Sequence, residues 1–163
     1  MRAHNNSIQQ WVELYEQPAP GKKVTRSLSL CKFGPGLSGF PGIAHGGALL
    51  TILDEALAYI MIANAIVEIG PVGMTEEEEA TWKKLHAEGK PIQETLKGRF
   101  VTAKLDTKFL KPVLCPGVVG VTVEMLESKE YKLKMRGIMR DESGAPLLQV
   151  DGLWVKIGGG AKL

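Results

Sequence analysis

Residues 42–54 read Gly42-Ile43-Ala44-His45-Gly46-Gly47-Ala48-Leu49-Leu50-Thr51-Ile52-Leu53-Asp54. From His45 the apolar pattern runs on to Ile66, which predicts a long helix over residues 45–66, apolar nearly all round. Such a helix must be surrounded by protein. Glycine weakens a helix, so Gly46 and Gly47 at its start point either to close packing or to a need for bare backbone. The first N–H groups of a helix have no internal partner, and the helix dipole is positive there. Such an end can polarise a carbonyl and hold an oxyanion. Asp54 lies on the same predicted buried helix. A buried carboxylate is costly unless it is put to use or satisfied locally, for example by Thr51 or Tyr59. Glu55 points about 100° away around the helix, so one acid can face a cleft while the other faces solvent or an interface.

Upstream, residues 23–33 alternate and predict a strand, followed by a loop with Gly34, Pro35, Gly36, Gly39, Pro41 and Gly42. Residues 1–22 mix polar and apolar side chains and read as an N-terminal arm or helix. Downstream, Gly70, Pro71 and Gly73 break the long helix. A second helix is predicted next, with Thr75 and Glu78 as a capping box, an acidic first turn at residues 76–79, and Gly89 and Pro91 as its stop. It has a polar face and sits in a surface insertion, residues 68–98. Residues 100–110, 118–126, 132–139 and 147–157 read as strands with short links, an antiparallel meander. The domain is therefore expected over residues 23–157, with a tail at 158–163. A curved antiparallel sheet wrapped around the long helix would cover it.

The chain has 163 residues, enough for one domain with a sizeable core, and a formal net charge of +2. That charge predicts no nucleic-acid partner. Two cysteines, Cys31 and Cys115, in no metal or redox spacing read as core thiols in a reducing compartment. No metal ligand set is expected. The apolar run 48–66 contains Asp54, Glu55 and Asn64, so a core helix is expected there and no membrane span.

His45-Gly46-Gly47 followed by Asp54 resembles the HGG…D pattern of hotdog-fold thioesterases of the PaaI-like branch. Val101-Thr102-Ala103-Lys104-Leu105-Asp106-Thr107-Lys108-Phe109-Leu110-Lys111-Pro112 resembles that family's strand after the central helix, and Trp154-Val155-Lys156 its last strand. The resemblance covers about residues 23–157 apart from the insertion. It implies an α+β hotdog fold and hydrolysis of an acyl-CoA, or another acyl-carrier thioester, to acid and thiol. CoA would enter only as part of the substrate, with no separate cofactor. It also implies a homodimer or dimer of dimers. By resemblance, Gly46 matches the glycine whose N–H polarises the thioester carbonyl. Asp54 matches the general base or nucleophile, Thr102 the hydroxyl that orients water or acid, and His45 a positioning group. Some relatives carry Asn or Gln six residues before the histidine; here Gly39 stands there, with Ser38 beside it. With Gly47 and Glu55 these form the candidate substrate-binding set.

CoA is long and anionic, so cations are expected at the cleft mouth, with Lys108, Lys111 and Arg136 as first candidates and Lys134 and Lys156 behind them. Its thiolate leaves readily, so a strong general acid is not required; His4 and His86 are expected in the arm and the surface helix. A hydratase or dehydratase of the same fold, and a non-catalytic acyl-thioester-binding subunit, are the competing readings. No D-x-N-P-x-H pattern supports the first. Intact Gly46, Asp54 and Thr102 weigh against the second. The ending Ala161-Lys162-Leu163 resembles a peroxisomal address, so a cytoplasmic or a peroxisomal location is expected.

Overall fold

The computed structural model describes residues 6–70, 80, 83–85, 87–89, 91, 94 and 96–158. In chain order the elements are β1 (Ile8–Tyr15), β2 (Arg26–Phe33), a 3-10 turn (Pro35–Leu37), β3 (Ser38–Phe40), β4 (Ile43–Ala44), α1 (Gly46–Ile69), β5 (Phe100–Phe109), β6 (Gly117–Lys129), β7 (Lys132–Arg140) and β8 (Pro146–Lys156). Six strands form one antiparallel sheet in the order β1-β2-β6-β7-β8-β5. The long helix packs along it against β1, β2, β6, β7 and β8. This is the hotdog architecture that the resemblance implies.

The expected strands are present, the stretch read as a loop also holds the β3–β4 hairpin, and three further differences concern β1, β5 and the helix. Residues 8–15, read as part of an arm or helix, form edge strand β1, paired with β2 through Trp11↔Cys31 and Glu13↔Ser29. The alternation there is weak because Val12 and Leu14 face outward and stay exposed while Glu13 faces inward. The four C-terminal strands are not one meander either. Only β6, β7 and β8 follow one another, and β5 lies on the far side of β8. The link over residues 110–116 carries Pro112 and Pro116, which cannot donate to a ladder. It crosses to the other side of the sheet and is held instead by the small β3–β4 hairpin. There Ala44 N–H donates to Val113 O (2.9 Å) and Cys115 N–H to Gly42 O (3.0 Å).

The third difference concerns the helix. One face is buried on the sheet, through Leu49, Ile52, Leu53, Ala56, Leu57, Ile60 and Ala63. The opposite face, with Ile62 and Ile69 exposed, is covered by no strand among the described residues. A single sheet can cover only one side of a helix, so the described residues alone do not answer the all-round apolar pattern. By length and composition α1 could also pass for a membrane span; its packing along the sheet is that of a core helix. Leu57 seats where two strands lack side chains. A Cβ on Gly137 would lie 3.4 Å from Leu57 Cδ2, and one on Gly152 3.3 Å from Leu57 Cδ1 and against the Trp154 ring. Fully burying a leucine such as Leu57 contributes ~1.5–3 kcal/mol.

The second predicted helix falls largely outside the described residues, as do Thr75, Glu78, His4, His86 and Ala161-Lys162-Leu163. Within it, Lys84 and Glu88 form an i,i+4 ion pair (3.9 Å), and Gly89, read as the stop, has φ +64°. Both cysteines are buried and free.

Candidate functional site

The helix start is built by its own sequence. His45 is the N-cap, and its Nδ1 accepts from Gly47 N–H at 3.0 Å. That bond takes one of the first N–H groups of the helix and sets the neutral imidazole tautomer as Nε2–H. His45 N–H donates to Leu37 O (2.7 Å), which ties the cap to the 3-10 turn. Gly46 N–H has no partner among the described residues and stands at the positive end of the dipole. A Cβ on Gly46 would lie 3.4 Å from the Phe109 ring. Gly46 lines a cavity of about 700 Å³ together with His45, Phe40, Ile43, Phe109 and Lys111. Bare backbone at Gly46 thus faces open space and one aromatic ring.

Two turns further along, Asp54 is half-buried. It is satisfied neither by Thr51 nor by Tyr59. Thr51 Oγ1 donates back to Gly47 O (3.1 Å), and the partner of Asp54 is Thr102, whose hydroxyl donates to Oδ1 at 3.0 Å. Thr102 reaches the helix because β5 carries a bulge between Thr102 and Lys104. Side chains alternate along a strand, so the extra residue resets the phase. Thr102 then shares the inward face with Leu105, Thr107 and Phe109. These pair with Trp154, Gly152, Val150 and Leu148 of β8, of which all but Gly152 bury their side chains in the core. One strand therefore carries both contacts to the helix: Thr102 with Asp54 at one end, Phe109 with Gly46 at the other.

The remaining candidates scatter. Ser38 donates to Cys115 Sγ (3.3 Å). Gly39 is needed for packing, because a Cβ there would lie 2.9 Å from His45 Cα. Arg136 is engaged two-handed by Asp151, Nε to Oδ1 at 2.6 Å and Nη2 to Oδ2 at 3.0 Å, so that guanidinium is committed to a cross-strand pair. Arg136 holds the Asp151 carboxyl below its ordinary value. Lys111 lines the Gly46 cavity, and Lys108 is exposed on β5 beyond it. Lys134 forms a cluster with Lys129 and Lys132 around Glu127. Lys156 lies in a separate hollow with Lys22, Lys23 and Lys129. Gly47 has its N–H taken by His45, and Glu55 lies on the β1 side of the helix. Among the described residues no group of three His, Cys, Asp or Glu is placed to hold a metal. Sequence reasoning missed Phe109 as the neighbour of Gly46, although its ring stands in the quoted strand, and missed Glu13 and Trp11 of β1.

The profile of the thioesterase superfamily matches residues 41–147, which span the helix start, Asp54 and Thr102. The chain belongs to the thioesterase superfamily. It is 25% identical over 126 residues to verlamelin biosynthesis protein B of Lecanicillium sp, covering 76% of this chain and 53% of that protein. The chain thus spans about half the length of that relative. Among solved structures it is similar to the E. coli PaaI protein from the phenylacetic acid degradation operon, with TM-score 0.57, 13% identity, and 82% of this chain and 74% of that one covered. A hypothetical thioesterase protein from Streptococcus pneumoniae, crystallised with coenzyme A, gives TM-score 0.59 and 12% identity, over 93% and 89%. Zebra fish thioesterase superfamily member 2 gives 0.57 and 11%, over 90% and 81%. At these identities the likeness speaks for the fold alone.

Proposed function

We propose that the chain hydrolyses acyl-CoA thioesters, in a site that two copies build together. Asp54 stands eight residues beyond Gly46, roughly 12 Å along the helix axis. An oxyanion donor must approach the carbonyl oxygen to ~3 Å while the base stays within one water of the carbon. One helix cannot supply both. The observation that carries the reading is the double duty of β5. Its outer edge pairs with no strand among the described residues. With the bulge at Ala103 counted out, the ladder centre between Thr102 and Phe109 is Asp106, and a two-fold axis there would set Thr102 of one copy opposite Phe109 of the other. Asp54 of the first copy then comes beside Gly46 of the second. The apolar side chains exposed around the Gly46 end, Phe40, Phe109, Leu110 and Leu114, are surface that such a pairing would cover.

The chemistry follows. Gly46 N–H donates to the thioester oxygen as it gains charge. Thr102 fixes Oδ1 of Asp54, leaving Oδ2 to take a proton from water while the water oxygen attacks the carbonyl carbon. The tetrahedral intermediate collapses with cleavage of the C–S bond, and the CoA thiolate leaves. Direct attack by Asp54 followed by hydrolysis of the anhydride uses the same groups. Lys111 and Lys108 lie on the Gly46 side, where the phosphates of CoA would meet them. The pneumococcal relative with coenzyme A supports CoA as the carrier. The test is thiol release from a panel of acyl-CoAs of varied length by the purified chain. Turnover of one class is expected; a folded chain that releases no thiol from any member contradicts the reading.

A further inference from the structure

A second cavity lies on the opposite flank of α1 from Asp54. It has a volume of about 620 Å³ and lies between β1 and the helix, walled by Ile8, Trp11, Leu37, Ile52, Tyr59 and Ile62. That size is within the ~300–1,000 Å³ of small-ligand pockets and far beyond what an acetyl group fills. Among the described residues that line it, the charged ones are acids, Glu13 on the wall and Glu55 at the rim, and none is Lys, Arg or His. An anion such as the CoA nucleotide is repelled here, while a neutral apolar group is welcome. Thr51 and Glu55, which line the cavity, flank Asp54 on the helix, one turn before it and one residue after it, so a chain leaving the Asp54 side need only pass over these two residues to enter.

Glu13 is the unusual feature. The sequence puts an acid on the inward face of an edge strand, where an apolar side chain would pack without cost. Trp11 Nε1 donates to its Oε1, and Ser29 Oγ donates to its Oε2 at 2.6 Å. Burial pushes its carboxyl above the usual range, against the pull of those two bonds and with a small push from Glu55. A carboxylate offers about four lone-pair sites over its two oxygens. Two are used, so the carboxyl can still meet a donor in the cavity. A hydroxyl is the donor that suits a partly desolvated wall, because an ammonium loses far more hydration on entry.

We propose that this cavity receives the acyl group of the substrate, and that Glu13 selects acyl chains that carry a hydroxyl along their length. The inference rests on the acyl-CoA reading above and divides the substrate by charge. The nucleotide lies on the Lys111 side of the helix. The apolar chain crosses Thr51 and Glu55 into the acid-walled cavity, and its hydroxyl donates to Glu13.

Two measurements test it. The first is kcat/KM for butanoyl-CoA, dodecanoyl-CoA and a set of dodecanoyl-CoAs hydroxylated at successive carbons. In the native chain at least one positional isomer should exceed dodecanoyl-CoA by about 10-fold, the size of a hydrogen bond to a charged group. Glu13→Gln should lose that preference. Ile62→Trp, at the half-open rim where a larger side chain does not disturb the core, should lower the dodecanoyl-to-butanoyl ratio about 10-fold. The second is calorimetric titration with 1-octanol and with octanoate, which needs no catalysis. The native chain should bind octanol at least 10-fold more tightly than octanoate, and Ile62→Trp should bind neither. No thiol release from any acyl-CoA defeats the hydrolytic reading and the acyl assignment with it, whereas octanol binding would still identify an apolar-ligand site. Hydrolysis with unchanged ratios in both variants, or octanoate bound as well as octanol, overturns the cavity inference alone.

Discussion

Thr102 holds Oδ1 of Asp54 at 3.0 Å across forty-eight residues of chain, from a strand whose bulge turns the threonine toward the helix. The bond satisfies one carboxylate oxygen and leaves the other open. A group held in this way is pre-oriented, so its removal should act on turnover more than on folding.

Asp54→Asn is therefore expected to lower kcat with the best acyl-CoA by about 100-fold or more, the scale of general-base loss. The amide keeps the shape and can still accept from Thr102, so the melting temperature should hardly move. Glu55→Gln, about 100° around the same helix, should change kcat far less. Near-native turnover in the asparagine variant would remove Asp54 from the chemistry.

Thr102→Val keeps the branched shape and deletes the donor. Turnover should fall about 10-fold, the value of one charge-assisted hydrogen bond, and Thr102→Ser should restore most of it. If valine and serine variants lose activity equally, the hydroxyl does not orient Asp54.

Much of this was legible in the sequence, and the exceptions have physical causes. The helix start could be read because glycine is out of place in a helix interior, and His45-Gly46-Gly47 is where the N-cap falls. The β6–β8 meander could be read because alternation and the turn over residues 141–144 agree. Strand β1 was missed because outward Val12 and Leu14 and inward Glu13 blur the two faces. The place of β5 was missed because neighbours in sequence were expected to pair, whereas the proline-bearing link over residues 110–116 crosses the molecule. Arg136 looked free for phosphate until pairing placed it opposite Asp151. Cross-strand partners at a separation of fifteen residues depend on register, which one sequence does not reveal.

Gly152 tests how the helix is seated. Alanine would gain ~0.5–1 kcal/mol from chain entropy in a strand. Its methyl would meet the Trp154 ring and Leu57 Cδ1, and overpacking a filled core costs ~1–3 kcal/mol. The clash should win, so Gly152→Ala should lower the melting temperature by a few degrees, about 2–4 °C per kcal/mol at this size. An unchanged or higher melting temperature would show that the ring gives way without cost.

Glu127 accepts from Lys129 (2.8 Å), Lys134 (3.1 Å) and Lys132 (3.3 Å). The Lys129 bond first, then that of Lys134, lowers its pKa from the ordinary 4.5 to about 2. A carboxylate whose pKa is depressed by folding stabilises the fold above its unfolded value and loses that contribution as pH falls through the folded one. The melting-temperature gap between native and Glu127→Gln chains should thus be constant from neutral pH down to about 5, then close toward pH 2. The cluster is solvent-exposed, so the gap should be small and should shrink with added salt. A gap that persists at pH 2 would mean that glutamine disturbs the hairpin for another reason.

The shared site makes a demand that no single-chain site makes. Asp54→Asn removes the base but leaves Gly46 intact. Gly46→Val places a branched side chain against Phe109, blocks the oxyanion position, and leaves Asp54 with its Thr102 partner. Each variant alone should be nearly inactive, because every site in its homodimer lacks one group. In a heterodimer of the two, one site joins both defects and the other joins native Gly46 to native Asp54. Co-folded heterodimers, purified through two different tags, should therefore recover about half the native turnover, the share of one site in a two-fold dimer. Recovery should follow the fraction of heterodimer across mixing ratios. Verified heterodimers without recovery, or full activity in a chain that sediments as a monomer at assay concentration, would place Gly46 and Asp54 outside a common site.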